Sequence, residues 1–251
     1  MYGESIKQRV LGGIVKVLYK ISLKCNNKVF FQNPDDLIFF KDNKIIGDST
    51  LTRIVNGSGV DLSHYYKCQV VTNPVTFLLI ARLLKEKGIF EFAEVAKNLK
   101  TKYPETNYQI IGWEDNSPSS IKTKILEDIQ KNGFIDFLGY KKDIRDYLAS
   151  CSIYVLPSYR EGTPRTVLEA MSMCRPIITT DAPGCRETVV HEKNGLLVPV
   201  KDQVSLANAM MKMLEKSDEK IETMARESFL IAKNKYEINK VNQSILDIMN
   251  L

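Results

Sequence analysis

The chain has 251 residues, 44% of them hydrophobic and 26% charged, with a formal net charge of +5. That balance is ordinary for a globular protein holding one sizeable core, or one domain plus part of another, and it excludes a chain dominated by disorder. The mild positive charge suits phosphates or an anionic membrane face, and no nucleic-acid-binding signature accompanies it.

Residues 10–23 are apolar at helical spacing, with Lys7, Arg9, Lys16, Lys20 and Lys24 around them. They read as an amphipathic helix. Its apolar side faces a core in the commoner arrangement, or lies on an anionic membrane. Residues 29–31 and 53–55 read as strands flanking a helix over 35–40. The run Asn56, Gly57, Ser58, Gly59, Val60, Asp61 then reads as a hinge between domains. Two strand units are too few for an independent doubly wound sheet, so residues 1–65 read as the remnant of a preceding domain.

From Asn73 onward, short β-branched and aromatic runs alternate with longer helical patterns, the signature of repeated βαβ units. Strands are expected at 76–80, 108–111, 135–138, 153–156 and 177–180. Helices are expected at 89–102, 119–132, 142–149 and 165–174, where apolar residues recur every three or four positions. The strands are short and do not alternate, which suits burial on both faces of a parallel sheet. Residues 204–215 and 220–250 read as helical, with a break near Tyr236, Glu237 and Ile238. The expected fold is α/β: a domain over 66–235, then a helix over 236–251 that packs back toward the N-terminal part.

Cys25, Cys68, Cys151, Cys174 and Cys185 include no CxxC pair, which favours reduced thiols in a cytoplasm over a disulfide scaffold. His64 and His191 lack metal-ligand spacing, so no metal is expected. No apolar run is long enough to span a bilayer, and no signal peptide is apparent.

In an open parallel sheet, ligands bind beyond the carboxyl ends of the strands. Arg82 and Lys87-Gly88 follow the first strand of the repeat, and Gly112 follows the second. Pro157 through Pro164 follow the fourth, and Asp181 through Gly184 the fifth. Thr163 is expected to cap a helix with Pro164 in its first position. The free amides of Arg165 and Thr166 would then form an anion site. Gly162 would let a ligand approach the backbone closely. Arg82 and Lys87 would supply countercharge for a diphosphate, and Glu169 would reach sugar hydroxyls from a turn and a half into the helix. Taken singly, each of these residues reads equally as a surface charge or an ordinary cap. Their shared rim points to a phosphate-binding α/β domain.

The motifs go further. Ala81-Arg82-Leu83-Leu84-Lys85-Glu86-Lys87-Gly88 resembles the (G/A)RL-x-x-x-KG motif of retaining glycosyltransferase family 4, whose fold is GT-B. Glu161-Gly162-Thr163-Pro164 through Glu169-Ala170-Met171 resembles that family's EG-x-P and LEAM signature, with its E-x7-E spacing. Arg175-Pro176-Ile177-Ile178-Thr179-Thr180, Asn194-Gly195-Leu196-Leu197-Val198 and Phe137-Leu138-Gly139-Tyr140 are similar to its later segments. Phe31 through Asp36 and Gly57 through Asp61 resemble the end of the family's N-terminal domain, most of which is absent. The likeness is to the bacterial polysaccharide, O-antigen and capsule transferases, through GSGVD and Pro183-Gly184-Cys185-Arg186-Glu187. Cys174 departs from the pattern: it stands where glycine is usual, and reads as a packing change.

The resemblance implies transfer of a hexose or N-acetylhexosamine from a UDP-sugar to a lipid-linked or saccharide acceptor, with retention and without metal or other cofactor. Arg82 and Lys87 would bind the donor diphosphate beside the backbone of Gly162, Thr163, Pro164 and Arg165. Glu169 would hold the ribose, Gly139 and Tyr140 would border the base, and Glu161 would be catalytic, beside the donor sugar. The implied site of action is cytoplasmic, with peripheral contact at the inner face of the plasma membrane. Two alternatives stay open: a truncated nucleotide-sugar-binding module without turnover, and a UDP-sugar epimerase of GT-B shape.

Overall fold

The structure is a computed structural model that describes residues 6–47 and 50–249, with side chains from Val10 onward. The chain opens with α1 (Ile6–Leu23), β1 (Lys28–Phe31), α2 (Pro34–Asp42) and β2 (Leu51–Ile54). β1 and β2 pair in parallel as a two-stranded sheet. The repeat follows as β3 (Thr76–Arg82), α3 (Ile89–Lys102), β4 (Asn107–Trp113), α4 (Thr123–Gln130), β5 (Asp136–Phe137), α5 (Arg145–Ser150) and β6 (Ile153–Leu156). It continues with α6 (Arg165–Ser172), β7 (Ile177–Thr180), β8 (Gly195–Val198), α7 (Gln203–Leu214) and α8 (Asp218–Ile231). A π-helical turn, Ala232–Tyr236, leads into α9 (Ile238–Met249).

Strands β3 to β8 form one parallel sheet in the order β5-β4-β3-β6-β7-β8. Strands β6 and β7 are buried along their whole length, as is β3 up to Ala81. Helices cover both faces, as the non-alternating strand sequences require. α3 contributes Ile89, Phe92, Val95, Ala96 and Leu99 at helical spacing. α6 contributes Val167, Leu168, Ala170 and Met171. The chain leaves β3 toward β4 and β5, then returns to β6 on the other side. The β3/β6 boundary is therefore the switch point, where a crevice opens above the strand ends.

Strand β8 was not expected. Gly195 lies in the sheet against Ile177, whose backbone leaves no room for a Cβ. Cys174 also corrects a reading. It follows α6 with φ of 61°, the left-handed conformation that favours glycine after a helix, so the departure is one of backbone conformation more than packing.

The region before the hinge contrasts with this core. The expectation that α1 faces a core fails: Val10, Leu11, Ile14, Val17, Leu18 and Ile21 are each more than half exposed. β2 is exposed or half-buried throughout, and α2 buries none of its residues fully. The leader nonetheless touches the larger unit. The Asn33 side chain is fully buried and caps α2 by accepting from Asp36 N at 2.8 Å. Its amide points to the carbonyls of Glu161 and Gly162 at 3.4 and 3.3 Å. Arg160 pairs with Asp36, and Arg186 with Asp35 at 3.3 Å. At the other end Ile238 N donates to Val60 O at 3.0 Å, so the start of α9 lies on the hinge.

Candidate active site

Arg82 is the last residue of β3. Its side chain is half exposed, and Nη1 pairs with Asp115 at 2.9 Å. Lys87 lies in the 3-10 turn Lys85–Lys87, which ends on Gly88 at φ 70°. Gly88 presses on the backbone of Pro157, where a Cβ would collide. This glycine thus brings the Lys87 turn against the loop after β6, and Lys87 Nζ pairs there with the Glu161 carboxylate. Both side chains are largely buried, 15% and 14% exposed, so each charge neutralises the other away from water.

Helix α6 begins at Arg165, where the expected range 165–174 starts, but its cap is not Thr163. Pro164 occupies the cap position with φ −71° and ψ 111°, and no side chain caps the helix. Thr163 faces the leader instead: its hydroxyl lies 3.5 Å from the Gln32 carbonyl, and its side chain packs on Gly57. Val167 and Leu168 donate to Pro164 O at 3.0 and 3.3 Å, which leaves the Arg165 and Thr166 amides without an acceptor among the described residues. Two free amides at a helix start are an anion-binding feature. The Tyr154 hydroxyl lies 3.0 Å from the Ile80 carbonyl and 2.7 Å from the Thr166 hydroxyl, and so pins this helix start to β3.

These parts meet. Arg82, Lys87, Glu161, Pro164, Arg165 and Thr166 line one cleft of about 150 Å³ at the β3/β6 switch point, together with Trp113. The close approach that Gly162 permits is taken by the leader: a Cβ there would come within 2.5 Å of Gln32 Oε1. The loop is held from behind as well, where Glu161 N donates to Pro183 O at 2.9 Å.

Glu169 does not share that cleft. It is 6% exposed and borders a second cavity of about 450 Å³, lined from the hinge side by Gly59, Asp61, His64 and Tyr65. Arg165 borders both spaces and lies 3.6 Å from the Glu169 carboxylate. Burial pushes the Glu169 carboxyl above its ordinary value, against the opposing pull of the Tyr65 hydroxyl and Arg165. Burial and the neighbouring carboxylate in turn push the Tyr65 phenol up to about 12. Gly139 and Tyr140 line neither space. Gly139 has φ of 67° and accepts from Gly112 N at 3.1 Å. Tyr140 is 64% exposed and makes a T-shaped pair with Trp113, with 5.7 Å between ring centroids.

Sequence reasoning missed Trp113, Asp115 and Tyr65. Trp113 directly follows Gly112, already placed on the rim, so the strand-end rule was enough to find it. Asp115 and Tyr65 reach the site only through tertiary packing.

The sequence profile of the group 1 glycosyl transferases matches residues 67–228, which hold the whole cleft. The chain belongs to this family. Among its relatives is the Campylobacter jejuni N,N'-diacetylbacillosaminyl-diphospho-undecaprenol alpha-1,3-N-acetylgalactosaminyltransferase, 30% identical over 87% of this chain and 58% of that protein. An Escherichia coli UDP-Gal:alpha-D-GlcNAc-diphosphoundecaprenol alpha-1,3-galactosyltransferase is 26% identical over 84% of this chain and 57% of its own length. The chain thus spans little more than half the length of the curated relatives it matches. In structure it is similar to Anabaena HepE in complex with UDP. The TM-score is 0.81 at 21% identity, over 94% of this chain and 67% of that one. This group 1 glycosyl transferase domain has the GT-B fold expected from its motifs.

Proposed function

We propose that this chain is the donor-binding half of a retaining glycosyltransferase. It moves a hexose or N-acetylhexosamine from a UDP-sugar to a lipid-linked or saccharide acceptor in surface polysaccharide synthesis. Residues 1–65 belong to the acceptor domain and its hinge, 66–235 bind the donor, and 236–251 pack back toward the N-terminal part. The supporting observation is the cleft in which Arg82, Lys87 and the free α6 amides converge.

Cleavage of the donor's anomeric C–O bond leaves negative charge on the departing diphosphate. Two cations and a helix start stabilise that charge as it develops, without a metal. Arg82 offers a planar fork to one phosphate and Lys87 a point charge to the other. As the diphosphate enters, Lys87 turns toward it and Glu161 is freed. The Glu161 carboxylate then orients the sugar and stabilises positive charge at its ring, while the acceptor hydroxyl attacks from the leaving-group face and gives its proton to the departing diphosphate oxygen. Glu169 holds the ribose hydroxyls, and Gly139 and Tyr140 border the base. The activities of the Campylobacter and Escherichia relatives support a lipid-linked acceptor. Among the described residues no helix is long and apolar enough to cross a membrane. The exposed apolar side of α1, with Lys16 and Lys20 on the same helix, supports peripheral contact with an anionic membrane at the inner face of the plasma membrane.

The test is UDP release from a UDP-sugar in the presence of a lipid-linked acceptor, with and without a supplied N-terminal half. Glu161→Ala should retain UDP binding and lose transfer. A fully active variant would refute the role given to Glu161. Binding without turnover in either arrangement would leave a nucleotide-sugar-binding module.

A further inference from the structure

We infer that Trp113 is the platform on which the donor's nucleobase stacks, an inference that rests on the UDP-sugar reading above. Trp113 ends β4 and is the register partner of Arg82 at the end of β3, so the two side chains stand on neighbouring strand ends. It lines the same cleft as Arg82 and Lys87, yet it is 42% exposed, unusual for so large an apolar ring beside a closed core. Tyr140, beyond β5, makes a T-shaped pair with it, the ring planes 84° apart, which braces the indole from the β5 side.

The strand order decides which part of a nucleotide arrives there. Diphosphate-binding groups sit at the β3/β6 boundary, and β4 and β5 are the next strands outward on one side. A nucleoside extending from the phosphates along that rim passes the end of β4 before that of β5. An exposed indole at that point offers what a base needs: a broad apolar face for its π-system, indifferent to the exact ring. The polar selection of uracil then falls to the backbone around Gly139, which is held against β4 through Gly112.

Trp113 is the chain's one tryptophan, so its emission reports this position alone. Titrating the full chain with UDP and with uridine should quench that emission, while inorganic pyrophosphate should bind with little change in it. Trp113→Ala should weaken UDP binding by about tenfold or more, the usual loss for one stacked base, and leave pyrophosphate affinity unchanged. Trp113→Phe should restore most of it. UDP binding seen by calorimetry with unmoved emission, and equal affinity in Trp113→Ala, would overturn the stacking role while the donor-site reading survives. Absence of any UDP binding to the unaltered chain would overturn both.

Discussion

The sheet of β3 to β8 and the leader before the hinge follow opposite rules. In the sheet, consecutive apolar residues such as Phe77, Leu78 and Leu79 are wholly buried, and helices close both faces. In the leader, α1 carries comparable apolar residues on the surface, and the parallel pair β1-β2 stands outside the main sheet. Parallel strands are otherwise found covered on both sides, and two strands alone are marginal. One region thus has a continuous buried core, while the other buries only Phe31, Ile45, Ile46 and Val55 and meets the larger unit largely through a few polar contacts. Those contacts, through Asn33, Asp35 and Asp36, land on the Glu161 loop and on Arg186. The leader's anchor and the candidate catalytic carboxylate therefore share one loop.

Truncating one apolar side chain in each region should separate the two most clearly. Phe77→Ala should cost about 3–5 kcal/mol, as for a fully buried aromatic, whereas Leu18→Ala should stay within about 0.5 kcal/mol. Urea unfolding measures both, and similar losses would erase the distinction.

Next in size is Glu169→Gln, which probes the space between helix α6 and the hinge. Loss of a charge-assisted contact to a ribose should weaken UDP binding by roughly ten- to a hundredfold at neutral pH. The unaltered chain should lose affinity as the pH falls through the raised value of this carboxyl, and the variant should lose that dependence. Stability should move the other way. A carboxyl whose value rises on folding holds its proton more tightly in the folded state, so its charge is a penalty above that value, relieved as the pH drops through it. Glu169→Gln should therefore raise the melting temperature of the ligand-free chain at neutral pH. A lower one would place the effect in packing.

Asn33→Ala removes the cap of α2 and the link to the Glu161 loop together. The expected cost is about 1 kcal/mol, with faster proteolysis confined to residues 28–54. Cleavage rising equally within the sheet would mean that the two regions unfold as one. Cys174→Gly should be smallest, within about 1 kcal/mol, because relief of the left-handed backbone is offset by loss of a buried side chain. A larger loss would show that the thiol's packing outweighs its conformation.

Most of the sheet was legible because burial on both faces leaves unbroken apolar runs that no helix period explains. β8 was missed because its apolar run, Leu196 to Val198, is only three residues long, and Gly195, which makes close contact with Ile177, adds no strand signal. The cleft was legible as residues at strand ends, and the motifs named the family. What could not be read was the use of each residue by the leader. Thr163 and Gly162, expected to serve the ligand, are engaged by Gly57 and Gln32 from more than a hundred residues away. Likewise Glu169 was joined in expectation to the cation cleft, but the hinge gives it a separate space. α1 was misjudged because amphipathic spacing shows that a face needs cover without showing what covers it.

In the proposed reading, two cations and an uncapped helix start form a single diphosphate site. Calorimetric titration with UDP of the unaltered chain and of Arg82→Ala addresses it most directly. One molecule should bind per chain, and the substitution should weaken it by about tenfold to a hundredfold, as expected for a charged hydrogen-bonding group. Equal affinity in the two proteins would rule out a diphosphate site at Arg82.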